Sequence, residues 1–126
     1  MSNISTVEEI FANENLDANA ITVSGIPERH IAAVIAMAKL FVVVDHHNPD
    51  FQPDYSDFSQ PKYEPIFELG SPSGARFAFY DHDYCWTFSG VGSRLVSESS
   101  AKTRLIAENY PELYKEIMVY ERELKK

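Results

Sequence analysis

The chain has little of what redox, metal-thiolate or nucleic-acid chemistry needs. Cysteine occurs once, at Cys85. A single thiol forms no intrachain disulfide and no paired CxxC ligand set, which suits a reducing compartment. Basic residues are also scarce: 11 Lys and Arg stand against 19 Asp and Glu, a formal net charge of −8. They are scattered, apart from the terminal Lys125-Lys126. Phosphate-backbone binding draws on clustered cations that release counterions. Direct nucleic-acid binding and binding to anionic membranes are therefore not expected. A basic protein partner suits this charge, although net negative charge also serves solubility alone.

Long apolar runs are missing too. Ile31 to Val44 holds thirteen apolar residues out of fourteen, broken by Lys39. A bilayer span takes ~20, so this run reads as a buried core helix. The opening MSNISTVEEIF has neither the basic nor the apolar region of a secretory leader, and a cytoplasmic location is expected. Repeats and low-complexity stretches are absent, as are HExxH and EF-hand spacings.

What is present fits one domain, common for a chain of 126 residues. Residues 1–24 form an N-terminal segment with a short helix, and residues 25–120 the core. Thr6 and Glu9 make a capping box, with Ser5 and Glu8 as another register, for a helix from about Val7 to Asn13 anchored by Ile10 and Phe11. Pro27 and Glu28 suit the first turn of the main helix, which runs to about His46. Its all-round apolarity implies burial on more than one face. The β-branched run Val42-Val43-Val44 leaves a short strand as a competing reading.

Pro49, Pro53 and Pro61 exclude regular structure between Asn48 and Pro61, and Phe51, Tyr55 and Phe58 look like anchors pinning that loop to the core. Strands are expected at Tyr63–Leu69, where Pro65 marks an edge, at Ala75–Tyr80, and at Arg94-Leu95-Val96. Gly70 to Gly74 turns between the first two. Asp81 to Ser93 reads as a loop with a short extended piece around Trp86-Thr87-Phe88. Ser97 or Ser99 caps a helix to about Asn109 with Ala101, Leu105 and Ile106 inward, and Tyr110-Pro111 opens a last helix. The fold class is α+β: a central apolar helix packed on a small three-stranded antiparallel meander, with C-terminal helices.

Asp45 to Asp83 concentrates three of the four histidines with aromatics and carboxylates. His46, His47, Asp81, His82 and Asp83, with Asp45, are candidate ligands for a metal such as Zn, Mn, Fe or Ni. Neighbouring side chains diverge on a helix and on a strand, so a site would take one ligand from each end of the segment. His46 and His47 equally suit the negative end of a helix dipole. Gly90 to Arg94 precedes a strand and lacks a following Lys, so it reads as a turn rather than a phosphate cradle, with Arg94 pairing to a carboxylate. Asp81 and Asp83 raise rather than lower the basicity of Cys85, against a nucleophile. His30 reads as a packed or solvent-facing histidine. The candidate partner-binding residues are Asp50, Asp54, Tyr55 and Asp57, since carboxylates around aromatics meet a basic partner; the same loop read as core filling leaves only its aspartates in solvent.

The phrases GIPERH, NPDFQPDYSDF, KYEPIFELGSPSG, SGVGSRL and AENYPELYKEIM together resemble a family of small uncharacterised phage and prophage proteins of gut Bacteroidota. The resemblance covers roughly residues 25–118 and does not include His46-His47. The resemblance itself carries no activity. Taken with the acidity and the lack of a catalytic signature, it makes an accessory protein in the cytoplasm of a bacterial host the leading expectation, one that acts by binding protein, such as a host nucleic-acid-binding or defence protein, with no cofactor expected. A metal-dependent enzyme using the His and Asp clusters and a minor virion component are the alternatives.

Overall fold

The computed structural model of the protein describes residues 4–85 and 92–122. Helix α1, Val7–Asn13, starts where Thr6 and Glu9 cap each other: the Thr6 hydroxyl accepts from the Glu9 amide at 3.2 Å, and the Glu9 carboxylate accepts from the Thr6 amide at 2.9 Å. This arrangement satisfies two donors that a bare helix end leaves open. Val7, Ile10 and Phe11 turn inward.

After a single 3-10 turn at Glu28–His30, α2 spans Ile31–His47. Val42 to Val44 is helical, so the strand alternative fails. Burial around α2 is uneven. Ala36, Leu40, Val43 and Val44 are buried against α1 and the C-terminal helices, and Phe41 is half-buried under Arg94, whereas Val34 is 43% exposed. All-round apolarity measures what a helix could bury, and here the side of Val34 stays open.

Strands β1, Lys62–Glu68, and β2, Ala78–Cys85, form a two-stranded antiparallel hairpin. The connecting turn needs positive φ at Gly70 and at Gly74, and a Cβ on Gly74 would lie 2.6 Å from the Val119 side chain. Helix α3, Ser100–Asn109, is capped by the Ser99 hydroxyl, and α4, Pro111–Met118, begins on Pro111. It is α3, not α2, that lies across both strands. Phe67 fixes the sheet to this layer, with its ring centroid 4.8 Å from both Phe77 and Tyr114.

The expected three-stranded meander is corrected to two strands among the described residues. Ser93–Leu95 is a 3-10 turn, and only Ser97 pairs, through one bridge to Tyr63 with bonds of 3.0 and 2.8 Å. The chain enters α3 three residues later, leaving no length for a strand. Conversely, β2 runs on through Asp81 to Cys85 where a loop was expected. Trp86-Thr87-Phe88, Gly90 and Val91 lie outside the described residues.

Asn48 joins these layers. Its side-chain amide donates to the Val44 carbonyl and to the Ser97 hydroxyl, both at 3.0 Å, and its Oδ1 accepts from the Glu98 amide at 3.0 Å. Asn48 is buried, and its bonds to Val44 and Ser97 are withdrawn from water. Asn48→Ala is expected to destabilise the protein by roughly 1–3 kcal/mol in urea unfolding, because buried polar groups lose their partner. A loss below about 0.5 kcal/mol would show the staple to be dispensable. Thr103 offers the opposite case: its buried hydroxyl has no hydrogen-bond partner among the described residues. Thr103→Val should leave the urea midpoint unchanged or raise it, since the methyl fills the same space without an unmet donor.

Candidate functional site

The 49–61 loop is built on two consecutive Asp-aromatic-Ser triplets. Asp54 Oδ1 accepts from the Ser56 amide at 2.9 Å and the Ser56 hydroxyl at 2.6 Å. Asp57 Oδ1 accepts from the Ser59 amide at 2.8 Å and hydroxyl at 2.6 Å. These are two Asx turns in series, each using the short Asp side chain to replace a backbone turn bond. The serine hydroxyls, and then the serine amides, hold both carboxyls below the usual aspartate range. Gln60 closes the loop, accepting from the Asp54 amide at 2.6 Å and donating to the Gln52 carbonyl at 2.9 Å.

Beneath the loop sits a fully buried ammonium. Lys62 Nζ donates to the Gln60 carbonyl at 2.9 Å and lies 4.9 Å from the Tyr55 ring centroid. Burying a cation is tolerable only with such compensation. Tyr55 is half-buried and donates its hydroxyl to the Ser93 carbonyl at 3.3 Å. Phe51 is likewise half-buried, but Phe58 is 78% exposed. The expectation of three inward anchors therefore holds in part for Phe51 and Tyr55 and is corrected for Phe58. Asp50 and Asp54 are exposed, and Asp57 is partly so. The repeated Asp-aromatic-Ser pattern was the available signal. Two identical turns three residues apart point their central aromatics in different directions, here Tyr55 inward and Phe58 outward.

His46 and His47 end α2 in an edge-to-face pair at 4.9 Å. The Tyr110 hydroxyl donates to the Ser5 carbonyl at 2.6 Å and stands 3.0 Å from His47 Nε2. A carbonyl cannot donate, so the single tyrosine proton belongs to that bond, and His47 must donate from Nε2. Burial first, then His46 and Lys102, press the His47 pKa below its ordinary value.

Asp81, His82 and Asp83 belong to β2, far from a loop's freedom. Tyr63 turns both backbone groups to Ser97, so by ladder alternation Lys62, Glu64 and Ile66 face β2, opposite Cys85, Asp83 and Asp81. Pro65, which has no N–H, takes an outward position. On β2 the outward residues are then His82 and Tyr84. Their amides are met by the carboxylates of the preceding residues: His82 N–H by Asp81 Oδ1 and Tyr84 N–H by Asp83 Oδ1, both at 2.8 Å. The aspartates blunt a strand edge. Asp83 also faces Glu64, whose pKa is raised by burial and then by Asp83. His82 packs on Tyr63 at 5.5 Å. Among the described residues no three His, Cys, Asp or Glu side chains come together where they could hold a metal ion. His46 and His47 stand with Tyr110, and Asp81 to Asp83 edge the sheet.

The open face of α2 carries an apolar cleft of about 480 Å³ lined by His30, Val34, Met37, Phe41 and Ile117. Arg94 stacks its guanidinium 4.2 Å from the Phe41 ring centroid, not on a carboxylate as expected from the sequence. Glu28–His47 is long and apolar enough to cross a membrane by length and composition. Cys85 is half-buried, its thiol 3.7 Å from the Lys62 carbonyl.

The His47 environment sets a pH dependence. Its folded pKa is depressed, so its contribution to stability is full above the unfolded value of about 6.5 and is lost as pH falls through the folded pKa. Urea midpoints measured from about pH 7.5 down to about pH 5 should fall more steeply for the native protein than for His47→Gln. Parallel curves would mean that His47 gains its proton as easily folded as unfolded.

No protein-family model, no curated protein and no solved structure matches this chain.

Proposed function

We propose that the protein acts by binding another protein through the 49–61 loop, not by catalysis. The observation that carries this reading is Phe58, 78% exposed at the centre of a turn whose backbone is already fixed. A large exposed apolar ring on a flexible loop gains little on binding, because ordering the loop offsets the contact. Here the Asx turns, Gln60 and the buried Lys62 have ordered it beforehand, which lowers the cost of association. Aromatics of this kind are frequent centres of binding energy.

Asp50, Asp54 and Asp57 surround the anchor with negative charge and suit a basic surface, steering it more than holding it. Tyr55 supports the loop from beneath as the ring under Lys62. With the resemblance to phage and prophage proteins, the reading becomes an accessory protein of the bacterial cytoplasm that occupies the basic site of a host nucleic-acid-binding or defence protein.

The test is affinity capture from bacterial host lysate with three forms of the full chain. Phe58→Ala should fold normally, because its ring is already in water, and should lose the captured protein. The triple Asp50→Asn/Asp54→Asn/Asp57→Asn keeps an acceptor oxygen for each Asx turn while removing the charge. It should slow association and weaken capture about tenfold at low salt, converging with the native protein at high salt. Retention of the same proteins by all three forms would overturn the proposal.

A further inference from the structure

The second open feature of the molecule is the outer edge of β2, and it uses none of the residues of the 49–61 loop. Beside that edge runs a groove of about 320 Å³. Phe79, Tyr80, Asp81 and His82 form its strand side, and Ser100, Ala101 and Arg104 its helical side. We propose that this groove receives an extended cationic peptide from a partner protein, added antiparallel or parallel to β2 as a third strand.

The backbone supplies the first requirement. His82 directs its N–H and carbonyl away from β1, and among the described residues no strand lies along that side of β2. Among the described residues, the His82 amide is met by the Asp81 carboxylate of its own strand, at 2.8 Å. Strand addition exchanges this bond for one to a peptide carbonyl, so no hydrogen bond is lost from the amide. The exchange frees the Asp81 carboxylate at the same moment.

Charge supplies the second requirement. The released carboxylate, which also stands 3.4 Å from His82 Nδ1, and that of Asp83 come from alternate residues and so from one face of the strand. In the groove Arg104 is paired with Glu108 at 3.2 Å and leans over the Phe79 ring at 5.9 Å, so its charge is already answered. The excess is negative. An incoming strand therefore carries Lys or Arg at the positions beside Asp81 and Asp83. Its alternate, apolar residues fall on the other face, over Phe79 and Ala101. A second copy of this chain fits poorly, because pairing β2 with β2 sets four aspartates side by side.

The groove has the general form in which an edge strand and a neighbouring helix hold a peptide between them: main-chain bonds give affinity and alternate side chains give selectivity. Tyr80, 70% exposed, stands at the irregularity where the β1–β2 register shifts between Ile66 and Phe67, and it closes one end.

The probe is a blocked hexapeptide of alternating Lys and Val, titrated into the full chain and followed by amide chemical shifts. The expected result is saturable shifts at residues 79–84 and 100–108, with slowed hydrogen exchange at the His82 amide. A peptide of alternating Glu and Val should bind at least about tenfold more weakly, as should the Lys peptide N-methylated on the amides that would pair. Asp81→Asn/Asp83→Asn keeps oxygens for the edge amides but removes the charge, and should weaken the Lys peptide. Ala101→Trp fills the groove from an exposed position and should abolish binding. Four results would overturn the proposal: no shifts, shifts confined to the 49–61 loop, equal binding of the acidic or N-methylated peptide, or β2 shifts that follow protein concentration without peptide. The second would leave the loop reading intact, and loss of capture in Phe58→Ala would leave the edge untouched, so the two surfaces succeed or fail separately.

Discussion

The molecule depends on one side-chain amide. Asn48 closes the carboxyl end of α2, starts the 49–61 loop and grips the segment that leads into α3. Through Ser97, which also bridges to Tyr63, the same amide reaches β1. Three layers thus meet at a residue with two donors and one acceptor, all used. An apolar residue there could fill the volume but could not fix direction, because hydrophobic contact is non-directional. The loop inherits its position from this arrangement, and Lys62 inherits its burial from the loop.

Acidic residues do more here than keep the chain soluble. Asp54 and Asp57 act as turn-forming acceptors, and Asp81 and Asp83 cover outward strand amides. In each case one carboxylate oxygen replaces a backbone acceptor at short range, while the charge remains near the surface. A protein with this habit can be stiff in its loops and keep its outward strand amides satisfied while carrying a net charge of −8. Both candidate surfaces follow from it, because the carboxylates that organise the backbone also give each surface its sign.

Much of the fold was legible where a local rule acts alone. Thr6 with Glu9, and Ser99, mark helix starts through bonds that span three residues, and Pro111 does so through its fixed φ and missing N–H. Gly70 and Gly74 mark the hairpin turn through their positive φ. Legibility ended where partners come from afar. Arg94-Leu95-Val96 has the apolar character of a strand, yet only Ser97 finds a strand to pair with. Asp81-His82-Asp83 resembles a loop because aspartate is poor in strands, but on an edge its carboxylate is an asset. The open side of α2 could not be read from apolarity, which is the same on covered and uncovered faces. Of the candidate site residues, Asp50, Asp54 and Asp57 do reach solvent, Tyr55 turns under Lys62, and the ring that points outward is Phe58.

The bond between the Tyr110 hydroxyl and the Ser5 carbonyl has a temporal consequence. It spans 105 residues, so Ser5, just ahead of α1, meets this partner long after α1 and α2 have been made. The hairpin waits as well: Phe67 stacks on Tyr114, and the Gly74 turn lies against Val119. On a ribosome, which adds about 5–20 residues per second, these contacts cannot form while Tyr110, Tyr114 and Val119 are still in the exit tunnel. Synthesis therefore delivers the local turns and helix caps well before the long-range contacts of Tyr110 and Tyr114 can form.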